Sequence, residues 1–238
     1  MSSKDRRPGT SAHAKFREKR RQTMRANWRD FVGLFAMFVM ATAGVIFLDG
    51  GLALIAAWML GFVVALLIFG WMIGFDVHSL TWLWGAWGEE KTGEELAKLG
   101  PGWRVYHDIP DGNGNWDHVL VGAAGVFIID SKNLSQPATV DEKGLRSGRL
   151  RYGGAATRGS AVRLKELIQQ RTGLSVWVQG VVAVWGQLPQ GEVERDKVLY
   201  VPGTKLIETL ESRPDRLSDA HRAPVLALLD EIVATASR

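Results

Sequence analysis

The sequence predicts an α/β domain preceded by an α-helical transmembrane hairpin, and three observations carry that prediction. Two long uncharged runs stand near the amino terminus, at 31–48 and 52–75. Two apolar runs of strand character flank a short turn bracketed by Gly122 and Gly125. From residue 85 onward, amphipathic helical stretches alternate with apolar strands. The 238 residues suffice for one or two domains, with the apolar content concentrated in the early runs.

Each uncharged run is long enough for a hydrocarbon core of about 30 Å, which roughly 20 apolar residues span. Two runs, the first beginning only after thirty residues, argue against a cleavable signal peptide. Residues 1–30 form a basic arm: Lys4, Arg6, Arg7, Lys15, Arg17, Lys19, Arg20, Arg21, Arg25 and Arg29 stand against Asp5, Glu18 and Asp30, while the connection between the runs holds Asp49. The positive-inside rule places this arm in the cytoplasm. A hairpin at 31–75 returns the chain to the same side, so the expectation is a multi-pass inner-membrane protein with both termini cytoplasmic. The absence of cysteine agrees with a reducing compartment. The lipid bilayer is then a partner, and the arm's juxtamembrane position directs it to anionic lipid headgroups ahead of nucleic acid. Trp28, Trp71, Trp82, Trp84 and Trp87 fit either the headgroup zone or the core of the following domain.

The α/β domain is expected over 83–212, with a linker and helix over 213–238. A helix at 86–99 stops before Gly100 and Pro101. Strands follow at 103–109 and on either side of the Gly122–Gly125 turn, the first two joined by a turn at 111–115. Residues 141–154 read as a polar hairpin excursion. A helix at 158–171, a buried strand at 175–185, a shorter strand at 197–201 and helices at 204–212 and 222–236 complete the order.

The hairpin 116–133 carries the chemistry. If it is symmetric about its turn, paired positions sum to 247, and Asp117 faces Asp130 with Cβ atoms about 4.5–5.5 Å apart. Alternation puts Val119, Val121, Val126 and Ile128 on that same face, with Lys132 two positions beyond Asp130. Like charges opposite each other repel, and poorly solvated carboxylates are penalised further. Two arrangements relieve the conflict: a divalent cation such as Mg²⁺ or Mn²⁺, which takes one or two carboxylates plus waters and phosphate oxygens, or a solvated strand end with Lys132 paired to one acid. His118 points to the opposite face and reads as a structural histidine. His107 and Asp108 end the preceding strand, and Gln179 is a polar residue on an otherwise apolar strand that needs a partner.

Taken in order, GAWGEEKTGEEL at 85–96, WRVYHD at 103–108, WDHVLVGAAGVFIIDSKN at 116–133 and VWVQGVVAVWG at 176–186 resemble the nuclease-related domain family, NERD, within the PD-(D/E)XK nuclease superfamily. The resemblance spans roughly 83–210. It rests on Gly88 with Glu89, on Trp116 before Asp117 and His118, and on Asp130, Ser131 and Lys132. It implies a restriction-endonuclease-like central mixed sheet flanked by helices, and a nuclease acting on DNA or RNA with Mg²⁺ or Mn²⁺; together with the expected hairpin this makes a membrane-anchored nuclease the expectation. By that resemblance Asp117 and Asp130 hold the metal, Lys132 positions or helps to activate water, and Glu89 is a further ligand or a base. Two positions depart from the family's pattern. Trp116 replaces an aliphatic residue. The helix after the lysine strand offers Arg158, Ser160 and Arg163 near its start, with Gln169 and Gln170 only near its end, where relatives often carry a glutamine. The alternative reading is an inactive nuclease-fold module that binds nucleic acid or serves as a scaffold.

Overall fold

The structure, a computed structural model, describes residues 8, 10–46, 51–112, 114–152 and 154–236. The chain divides into two compact units, His13–Leu83 and Met1–Ala12 with Trp84–Arg238. Helix α1 (Thr10–Ile46) and helix α2 (Gly51–Leu96) supply the first unit, with the first three residues of α1 and the end of α2 from Trp84 assigned to the second.

The expected transmembrane hairpin is not supported. Among the described residues no helix is long and apolar enough to cross a membrane. The first uncharged run occupies α1 only over 31–46, about 24 Å at ~1.5 Å per residue and short of a hydrocarbon core. The second run does not form a bounded span. It continues without a break through Asp76 and His78 into Gly88, Glu89 and Leu96, all within one helix of 46 residues. The helix expected at 86–99 is therefore the last part of α2. The multi-pass, inner-membrane placement with cytoplasmic termini rests on those two spans and loses its basis with them. Residues 47 and 48, the connection containing Asp49, and the arm's Lys4, Asp5, Arg6 and Arg7 lie outside the described residues.

The second unit is a mixed α/β fold whose central sheet is flanked by helices. Its strands are β1 (Arg104–Pro110), β2 (Asn115–Gly122), β3 (Gly125–Asn133), β7 (Val178–Trp185), β8 (Val193–Arg195) and β9 (Val198–Pro202), in the order β1-β2-β3-β7-β9-β8. The antiparallel meander β1-β2-β3 meets β7 in parallel, β9 joins β7 in parallel, and β8 closes the edge antiparallel. The crossover from β3 to β7 contains β4 (Ala138–Asp141), β5 (Gly144–Ser147), β6 (Leu150–Tyr152) and helix α3 (Ala155–Thr172). Strands β4 to β6 form a separate three-stranded sheet, where the sequence suggested only a hairpin. Helices α4 (Leu206–Glu211) and α5 (Asp219–Ala236) end the chain.

The sequence of β2 and β3 explains their burial. Apolar residues at nearly every position suit strands covered on both faces. Val119, Val121, Val126 and Ile128 pack with Ala161, Leu164 and Ile168 of α3 and Val225, Leu228 and Leu229 of α5. Leu120, Phe127 and Ile129 face the other way, against Leu96 of α2 and Leu206 and Leu210 of α4. Helix α3 lies close over the sheet because β7 offers it no side chain at Gly180, where a Cβ would sit 3.3 Å from Thr157 Cγ2 and 3.4 Å from the Thr157 carbonyl oxygen. Gly180→Val forces that first turn of α3 outward. The expected result is a loss of about 1–3 kcal/mol, measured as a lower urea midpoint at unchanged m-value.

Candidate functional site

Every pair between β2 and β3 sums to 247, from Gly122 with Gly125 to His118 with Ile129. Continued by one step, that register sets Asp117 opposite Asp130. The pleat that buries Val119 and Ile128 brings both carboxylates to the end of the same face. The backbone N–H of Ser131 donates to Asp117 Oδ2 at 3.3 Å. Lys132 donates to Asp130 Oδ1 in a short ion pair, and the Thr157 hydroxyl donates to Asp130 Oδ2 at 3.2 Å. A cleft of about 220 Å³ opens here between the hairpin and α3, lined by Asp117, Asp130, Lys132, Trp116, Thr157 and Ser160 among others.

Glu89 reaches the same neighbourhood from α2. Gly88 lets the helix approach the end of β3, for a Cβ there would stand 3.2 Å from Asn133 Cβ. One turn later the buried Thr92 joins three elements. Its hydroxyl donates to the Gly88 carbonyl at 2.9 Å and accepts from Ser131 Oγ at 2.7 Å and from Trp185 Nε1 at 2.7 Å. Helix α2, β3 and β7 are thereby tied together beside the site, and Glu89 is held within electrostatic reach of Asp117. Glu95, by contrast, pairs with Lys98 at 2.6 Å.

The charges shape each other. Burial raises the Asp117 pKa well above the usual carboxylate value, Asp130 and Glu89 raise it further, and Lys132 and the Ser131 N–H only partly oppose them. Burial on its own would lower the Lys132 pKa, but Asp130, Asp117 and Tyr152 more than reverse this and hold the ammonium above its ordinary range. Lys132 is therefore a fixed cation. On β1 the pairing with β2 passes from His107–His118 to Ile109–Trp116 and skips Asp108. Its backbone is left-handed, with φ 58°, and its Oδ1 accepts from Asn115 Nδ2 at 2.8 Å.

His107, His118, Gln179 and Arg158 are engaged by partners away from the two carboxylates. His118 is fully buried, with its Nδ1 2.8 Å from Nδ1 of His107. Gln179 donates to the carbonyls of Gly180 and Lys197 and accepts from Trp177 Nε1. Arg158 faces Asp196 at 3.9 Å. The residue that the sequence reading missed is Thr157. It precedes Arg158 by one position, and α3 begins at Ala155 rather than at 158. A helix start placed three residues late hides the one polar group in its first turn that touches Asp130. Thr92 gave no signal of its own, because a threonine inside a helix has no motif.

Among the described residues no group of three or more histidine, aspartate or glutamate side chains is arranged to hold a metal ion. Asp117 and Asp130 nonetheless form a two-carboxylate donor set in mutual repulsion, which suits a hard divalent cation that completes its shell with water and phosphate oxygens.

Residues 84–185 match the family model for NERD, the nuclease-related domain. This stretch of the chain is similar to the nuclease-related domain. No curated protein and no solved structure matches the chain. The NERD match takes in Glu89 on α2, the whole β1-β2-β3 meander, Thr157 and β7. It ends at Trp185, leaving β8, β9, α4 and α5 beyond it.

A raised native pKa means that the native state retains the Asp117 proton to higher pH than the unfolded chain does. Stability therefore falls as pH rises from the usual carboxylate range through the native pKa. In EDTA, Asp117→Asn is expected to melt above the wild type at pH 8 by roughly 2–4 °C, the effect of about 1 kcal/mol at this size. The gap closes toward pH 4, where the wild-type carboxyl is protonated. Calorimetric scans of both proteins across this range check the sign.

Proposed function

We propose that the NERD domain is a divalent-metal-dependent nuclease that hydrolyses phosphodiester bonds of DNA or RNA. The observation that carries this reading is the meeting of Asp117, Asp130 and the Lys132 cation at one cleft, with Glu89 in electrostatic reach. Asp117 and Asp130 are the residues that would hold Mg²⁺ or Mn²⁺. Such an ion polarises a phosphoryl oxygen and lowers the pKa of water. The Thr157 hydroxyl and the Ser131 N–H fix the two carboxylates. Lys132, kept protonated by its neighbours, orients the attacking water and stabilises the charge that develops on the phosphate. Glu89 is a further ligand or a base for that water.

A second reading, an inactive nuclease-fold module that binds nucleic acid or serves as a scaffold, is favoured by one observation. The described acids do not form a set of three with metal-holding geometry. The two readings separate on whether divalent ions and Lys132 matter.

For the amino-terminal helices the proposed partner is a surface of anionic lipid headgroups. Arg17, Arg21, Arg25 and Arg29 recur every four residues along α1, which sets them on one helix face, and all four are exposed. Exposed Trp28, Val32 and Phe35 flank the last of these arginines.

The full chain is expected to cleave single- or double-stranded nucleic acid with Mn²⁺ or Mg²⁺ and not in EDTA, and Lys132→Ala to lose about 10²-fold or more of that rate. Equal cleavage by wild type and variant would assign the activity to something other than this site. In vesicle co-sedimentation, the chain is expected to follow vesicles containing phosphatidylserine. Replacing the four arginines by glutamine should weaken this by about 1 kcal/mol per charge near the surface. Co-sedimentation that is unchanged in the variant counts against the arm as the contact.

A further inference from the structure

Trp116, which departs from the family's sequence pattern, and Arg163, one of the polar residues that α3 offers where relatives often carry a glutamine, come together in space. They line a second pocket of about 390 Å³ beside the carboxylate cleft, with Pro110, Asp111, Leu167 and Ile232 among the other walls. Trp116 belongs to both, since its ring also lines the cleft of Asp117 and Asp130. Each of the two residues holds a buried N–H that has no acceptor among the described residues: Trp116 Nε1 and Arg163 Nε. Trp116 itself is only 4% exposed. A buried donor without an acceptor is unfavourable, and both donors belong to residues that line this one pocket, so a ligand that settles against these side chains can supply what they lack.

We infer that this pocket receives a nucleobase next to the scissile phosphodiester, an inference that rests on the nuclease reading for the identity of the strand. The charges argue for a base over a phosphate. The Arg163 guanidinium is already engaged by Asp111 Oδ2 at 2.5 Å and by Ser160 Oγ at 3.0 Å, and Glu166 adds a further acid to the lining. A pocket with one neutralised arginine and an extra carboxylate repels a phosphate dianion or monoester. Pro110, Leu167 and Ile232 supply apolar walls for a planar ring, and Gln170 adds an amide that both donates and accepts. Carbonyl oxygens or ring nitrogens on the edge of the base are the acceptors that the Trp116 and Arg163 N–H groups lack. The cleft reads the backbone and the neighbouring pocket reads a base, which gives the domain a means of holding the strand in register.

The test follows the Trp116 indole N–H of the ¹⁵N-labelled full chain by NMR in EDTA, so that nothing is cleaved. Its resonance is assigned by its loss in Trp116→Phe. Two single strands of equal length are added in turn, one carrying bases and one abasic with every phosphate retained. The expected result is a shift with the base-bearing strand and none with the abasic one. Arg163→Lys, which keeps a cation for Asp111 and removes the Nε donor, should raise the midpoint of that shift about fivefold. Equal shifts with both strands would make the sugar-phosphate backbone the ligand and overturn the inference. No shift with either strand would do the same and leave water as the acceptor. Cleavage of the base-bearing strand in Mn²⁺ is measured in parallel. Cleavage without a base-dependent shift removes the pocket and keeps the nuclease, while a base-dependent shift without cleavage keeps the pocket and removes the nuclease.

Discussion

The structure is organised around two like charges forced together. The register of β2 and β3 gives Asp117 and Asp130 no freedom to separate, because a one-residue slip would turn Val119, Val121, Val126 and Ile128 out of the core. The hydrophobic demand of four large side chains outweighs the repulsion of two carboxylates, and the strain is met locally. Lys132 answers Asp130 directly, the Ser131 N–H and the Thr157 hydroxyl each supply one donor, and the residual conflict is expressed as the raised pKa of Asp117. A strongly shifted carboxyl beside a charge partner in a cleft marks a candidate functional site.

The helices serve this arrangement from both faces of the sheet. Gly88 and Thr92 draw α2 against β3, and with it Glu89. Gly180 lets α3 settle over β7, and with it Thr157. Small residues thus act at the two contacts where a helix must come close, and the polar groups those helices carry need no long side chain to reach the carboxylates. The family match from 84 to 185 includes both of these contacts.

What could be read in advance follows the physics of each element. The hairpin was legible because strand alternation is strict: the register of 247, the shared face of the valines and the position of Lys132 all follow from period two. The start of α3 was less legible, since Ala155 and Ala156 carry neither a cap nor an amphipathic stripe, and the omission of Thr157 follows from that. The hub at Thr92 could not be seen at all, because its three partners, Gly88, Ser131 and Trp185, are brought together only by folding. The amino-terminal half shows the opposite failure. Uncharged runs predict transmembrane spans by composition, yet the second run lies in a helix that does not stop where its apolar residues stop. Composition reports the run and is silent on the boundary.

The central claim is that Asp117 and Asp130 share a divalent cation, and diffraction addresses it most directly. Crystals soaked in Mn²⁺ and measured at the manganese absorption edge are expected to give one anomalous peak bridging the two carboxylates, with oxygen distances near the ~2.0–2.2 Å usual for small hard divalent ions. A map with no peak between them, and with Asp130 still engaged only by Lys132 and Thr157, would contradict the account.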